Sequence, residues 1–140
     1  GTHVASTAGG SKFGFARKAE LVAVAVCTPR GSCPSQAILN GIAYAADNQQ
    51  GKKCVANMSL GGPKNSASND AVNAAVDAGV TMVVAAGNEN TDACTRSPAS
   101  AEKAITAGAT DLGNSGGNQI DIRSYFSNYG SCPQIFAPGS

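Results

Sequence analysis

Apolar positions along the chain fall into short blocks with two different spacings. Leu21–Cys27 (LVAVAVC) is Val-rich and apolar at nearly every position, the pattern of a strand buried on both faces. After Cys33-Pro34-Ser35 the spacing lengthens. Ile38, Leu39, Ile42, Ala45 and Ala46 share one helical face, with Pro34 suited to a first turn. The polar run Asp47–Lys53 ends that helix. Val55–Leu60 (VANMSL) predicts a second strand that stops at Gly61-Gly62-Pro63. Ser68 is the expected N-cap of a second helix, with Ala71, Val72, Ala75 and Val76 on its apolar face and Gly79 at its end. Val80–Ala86 (VTMVVAA) predicts a third strand ending at Gly87-Asn88, and Ala104–Ala109 a weaker fourth. Asp111–Gln119, rich in Gly and Asn, is expected to be a surface loop. Strand, helix, strand, helix, strand gives βαβ units: an α/β fold with a mostly parallel sheet flanked by helices in three layers.

Composition narrows the function classes. The 140 residues suit one domain or part of one, and there is no internal repeat or linker. Charged residues are only 14% and net charge is +1, which gives no electrostatic case for nucleic acid or an anionic membrane. No apolar run approaches the roughly 18 residues of a membrane span. No GxGxxG or GxxxxGK[ST] pattern supports a phosphate cradle.

Five cysteines without a CxxC pair, and a single histidine, argue against zinc and for disulfides, hence an oxidising compartment. The odd count leaves at least one thiol without an internal partner. Cys27–Cys33 would close a short loop. Cys33–Cys54 flanks a helix of about 15 residues, roughly 22 Å long, and needs the chain to fold back. A partner outside these residues is a third option for Cys27, Cys33 and Cys54.

Parallel sheets bind ligands beyond the carboxyl ends of their strands, which nominates Gly61-Gly62 and Gly87-Asn88. Taken singly, these are ordinary turn residues, and a lone histidine such as His3 is more often incidental than catalytic. Together and in order they carry more. The segments GTHVA, VANMSLGG, VVAAGNEN, RSPAS and FSNYGSCPQIFAPGS resemble the subtilisin-like serine proteases, in particular the proteinase K-like branch, over residues 1–140.

The resemblance implies a serine endopeptidase that works by acyl transfer. His3 would be the general base of a Ser-His-Asp triad. Asn88 would donate its amide to the oxyanion. The backbone of Ser59, Leu60, Gly61 and Gly62 would pair with an extended peptide substrate, and Ala85, Ala86 and Gly87 would form a wall of a roomy primary specificity pocket. The family's Asp lies in an upstream D-[ST]-G segment and its Ser in a downstream GTSMA segment, neither of which occurs here. The chain is therefore expected to be the central part of a peptidase domain and inactive alone. Aqualysin-type members further imply a Cys94–Cys132 disulfide. Two positions depart from the pattern: Ser6 replaces the usual Gly after GTHVA, and Gln134 replaces an Asp that helps hold a structural calcium. No cofactor is implied for the chemistry, and a calcium at Gln134 would be weakened or lost. The remaining implications are protein or peptide substrates, a monomer, and a secreted, extracellular setting. The alternatives are a non-catalytic, subtilase-like peptide-binding domain and, more remotely, an unrelated small-molecule-binding α/β domain.

Overall fold

The computed structural model describes residues 1–49 and 51–140, so Gln50, in the polar run Asp47–Lys53, lies outside the described residues. Helix α1 (Thr2–Gly9) comes first, then α2 (Ser35–Asn48), β1 (Cys54–Met58), β2 (Gly62–Pro63), α3 (Ser66–Asp77) and β3 (Val80–Ala85). A single 3₁₀ turn (Ala93–Thr95) leads into β4 (Arg96–Ser97), β5 (Ile105–Ser115), β6 (Asn118–Arg123) and β7 (Ile135–Pro138). The main sheet runs β1-β3-β5-β6, with β7 also on β5. All its pairings are parallel except β5 with β6. The α/β fold read from the spacing is the fold observed.

Register explains the core. Cys54, Ala56 and Met58 of β1 pair with Val80, Met82 and Val84 of β3. These residues share one face because strand side chains alternate. Ile42 of α2 and Val72 and Ala75 of α3 pack onto that face, and Met82 is only 1% exposed there. The opposite face is open, with Val55 70% exposed. Helix α3 is capped by Asn65, whose side chain accepts from the Ser68 N–H, so Ser68 is the recipient of the cap and not the cap itself. Gly79 ends the helix with φ 101°, a backbone region glycine enters without a Cβ penalty.

Two further expectations are corrected. Leu21–Cys27 is not a strand: it forms no ladder among the described residues, and Leu21 and Val22 are exposed. It runs instead across α2, where Val24 and Val26 approach Gly41 so closely that a Cβ there would meet Val26. A Val-rich run satisfies strand sterics, but a ladder also needs a neighbouring edge at the right distance. Asp111–Gln119 is not an open loop. It forms the end of β5, a turn at Gly116-Gly117 and the start of β6. Both glycines have positive φ (59° and 85°), as a two-residue hairpin turn with matching twist requires.

Disulfides join Cys27 to Cys33 and Cys94 to Cys132, leaving Cys54 free and half-buried in β1. Cys33 sits at the N-terminal end of α2 and Cys54 follows its other end, which is why those two do not pair. Closing 38 residues, the second bridge contributes about 4 kcal/mol in the chain-entropy model.

Candidate functional site

Because β1 and β3 are adjacent, parallel and in register up to Met58 and Val84, their following loops leave the same edge of the sheet. One loop is Ser59-Leu60-Gly61-Gly62 and the other Ala86-Gly87-Asn88. Their nearness depends on pairing between strands about 25 residues apart in the chain.

The first loop is braced from one side. Gly62 and Pro63 pair antiparallel with Ser97 and Arg96. The Ser97 hydroxyl accepts from Asn65 N at 2.8 Å and donates to Asn65 O at 3.1 Å. Asn57 donates its amide to the Ser59 hydroxyl. Outside the β2–β4 ladder, no backbone hydrogen bond engages Ser59, Leu60 or Gly61 among the described residues. Neither Gly61 nor Gly62 has positive φ. A Cβ would find nothing within 4 Å at Gly62, and at Gly61 only the Ser97 carbonyl, at 3.5 Å. The protein's own packing therefore does not require these glycines. They keep a backbone edge bare toward solvent. Beside them, Ile38, Leu39, Leu60, Pro63 and Pro98 contribute apolar lining to a cavity of about 500 Å³.

The second loop is held from within by Asn128, the Asn of FSNYG, which is fully buried. Its side-chain oxygen accepts from Glu89 N and Thr91 N, each at 3.0 Å. Its amide donates to Ala86 O at 2.8 Å and to Glu89 Oε2 at 2.7 Å. Gly87 has φ 104°, and a Cβ there would collide with the Asn128 amide. Ala86 donates its N–H to Ala107 O, and its methyl packs with Ala93 and Ala99. Of the run Ala85-Ala86-Gly87, only Ala85 and Gly87 are left partly accessible. Asn88 is exposed, and its amide makes no hydrogen bond among the described residues, so the loop presents a fixed backbone with a free amide donor. Sequence reading used Asn128 only as part of a motif; no local spacing signals that its side chain reaches 39 residues back to Glu89.

Asn128→Ala is expected to lower stability by about 2–4 kcal/mol, since it removes hydrogen bonds inside a buried network. Denaturant unfolding monitored by circular dichroism would measure it, and a loss below 1 kcal/mol would contradict the bracing role.

His3 lies in the first turn of α1, exposed. Its carbonyl accepts from the Thr7 hydroxyl at 3.1 Å. The structure does not bring its imidazole into hydrogen-bond contact with Asn88 or with Ser59–Gly62 among the described residues. Gln134, which the resemblance sets where a calcium-binding Asp is expected, accepts from Thr106 N through its side-chain oxygen at 2.6 Å, and its own N–H donates to Thr106 O. That oxygen is therefore already engaged by a backbone N–H, and an amide brings no charge to a calcium ion. No cluster of three His, Cys, Asp or Glu side chains that could hold a metal ion occurs among the described residues.

A family model described as the subtilase family matches residues 1–140. The chain is 49% identical to the subtilisin-like serine protease Pen ch 18 of Penicillium rubens, covering 99% of this chain and 28% of that protein. It is 50% identical to the subtilisin-like serine protease Rho m 2.0101 of Rhodotorula mucilaginosa, covering 99% and 41%. A solved cold-adapted subtilisin-like serine proteinase superposes with a TM-score of 0.90 at 43% identity, covering 99% of this chain and 48% of that one. The chain thus spans less than half the length of these relatives.

Proposed function

The chain belongs to the subtilase family of serine proteases, and from that premise we propose that it forms the central part of the catalytic domain of a secreted serine endopeptidase. The observation that carries this reading is the shared edge of β1 and β3. There a bare, glycine-bearing backbone segment lies beside a loop with a free Asn88 amide. The first element suits pairing with an extended peptide, the second suits hydrogen bonding to an oxygen that becomes negative.

The reaction proposed for the intact enzyme is acyl transfer. The His3 imidazole takes the proton of a serine hydroxyl as that oxygen bonds to the scissile carbonyl carbon. The carbonyl oxygen becomes an oxyanion and accepts a hydrogen bond from Asn88. The C–N bond then breaks, and the His3 imidazolium gives its proton to the leaving amine. Water then takes the amine's place: His3 accepts its proton as the water oxygen bonds to the ester carbon, the bond to the serine oxygen breaks, and the His3 imidazolium returns the proton to that oxygen. The serine, and the aspartate that orients His3, come in this reading from segments outside these residues. Substrates are proteins or peptides, the enzyme is a monomer, and the chemistry needs no cofactor. The two disulfides support an extracellular setting.

A fluorophosphonate probe tests the reading, because it reacts with an activated serine. The intact protein is expected to be labelled at a serine outside residues 1–140, and the isolated segment not at all. Labelling of any serine within the segment would overturn the assignment.

A further inference from the structure

The cavity beside Leu60 has two walls of different construction. One wall, Gly62 to Asn65, is fastened to β4 by the strand ladder and the Ser97 hydroxyl. The other is the Thr28–Ser32 turn, which contributes Gly31 and is followed by Cys33, also in the lining. Every residue of that turn is exposed. Its two backbone hydrogen bonds, Thr28 N to Ser32 O and Gly31 N to Thr28 O, are internal to it. Among the described residues no hydrogen bond ties it to β1, β2 or α3. The Cys27–Cys33 disulfide clamps its base, with the two Cα atoms 4.0 Å apart, and anchors it to the start of α2.

Resting on the peptidase reading above, we propose that the Cys27–Cys33 disulfide is a specificity-determining device: it holds the Gly31 wall so that the cavity selects a bulky apolar side chain of the substrate. An extended peptide laid along Ser59–Gly61 turns alternate side chains to opposite faces, and one of them faces this cavity. Its floor of Ile38, Leu39 and Leu60 suits an aliphatic or aromatic group, and about 500 Å³ is ample for one. A pocket discriminates side chains only while its wall stays at contact distance, because dispersion contacts are lost over a fraction of an ångström. Without the clamp, an exposed turn bonded only to itself leaves that wall free to move, and selectivity falls while the reacting groups are untouched.

The test uses the intact enzyme with the double substitution Cys27→Ser/Cys33→Ser and peptides varied one position at a time. A control peptide is shortened so that no side chain reaches the cavity. At one position, the ratio of kcat/KM for bulky over small side chains is expected to fall about tenfold, a typical share of apolar-pocket discrimination. The control is expected to keep its kcat/KM. A second variant, Gly31→Asn, guards against misfolding. Asn tolerates the positive φ of 82° and a Cβ there meets nothing within 4 Å, yet it puts a polar group on the same wall. It is expected to lower acceptance of bulky apolar groups at that same position. An unchanged profile in both variants, or an equal loss on every peptide including the control, would overturn the proposal. A wild-type enzyme that cleaves no peptide would instead overturn the peptidase reading beneath it.

Discussion

His3→Ala in the intact enzyme is expected to lower kcat by about a millionfold, the magnitude known for loss of the triad histidine in subtilisin. The chemical reason is that a serine hydroxyl is a poor nucleophile until a neighbouring base takes its proton. The structural reason for trusting such a substitution is that His3 supports nothing. It is exposed, α1 buries no residue, and the hydrogen bond His3 makes to Thr7 uses its backbone carbonyl, which alanine keeps. Alanine is also the better helix former. The melting temperature should therefore be unchanged while turnover collapses. Steady-state kinetics on a peptide substrate, alongside thermal melting of both proteins, would show it. A fall of less than tenfold would remove His3 from the role of base.

Asn88→Ala should reduce kcat by about 100- to 1,000-fold with little change in KM, the size reported for the corresponding oxyanion donor of subtilisin. An interaction made only in the transition state affects turnover and leaves ground-state binding alone. Asn88 is suited to such a clean result. Its amide is unengaged among the described residues, and the shape of its loop is dictated by Asn128 and Gly87, not by Asn88 itself. Should KM rise tenfold with kcat intact, Asn88 would be a binding residue and the oxyanion assignment would be wrong. Asn128→Ala offers an internal contrast, because it should cost stability as well as turnover.

Much of the fold was legible from spacing. The helical stripe Ile38, Leu39, Ile42 and the Val-rich block Val80–Ala86 announced α2 and β3 because burial imposes period 3.6 on a helix and allows continuous apolar character in a central strand. The N-cap of α3 is Asn65, three residues before the Ser68 that the spacing suggests, since either residue type can cap and only the backbone angles choose. The hairpin at Gly116-Gly117 was hidden by its composition: Gly and Asn mark turns, but how far the flanking strands extend depends on the partner they find. The candidate site was legible as a set of short motifs, and its disulfide Cys94–Cys132 followed from the family likeness.

Periodicity by itself gave the α/β class, and the motifs in their order carried the family likeness, which nominates His3, Asn88 and the Ser59–Gly62 segment for the roles proposed above. Long-range pairing settled the rest. It left Leu21–Cys27 outside the sheet despite its strand-like run: among the described residues β1 pairs only with β3, and Val24 and Val26 lie against Gly41 of α2. It also set Asn128 beneath the Asn88 loop and the Cys27–Cys33 turn against the cavity, because hydrogen bonds and contacts depend on distance in space and carry no trace in sequence spacing.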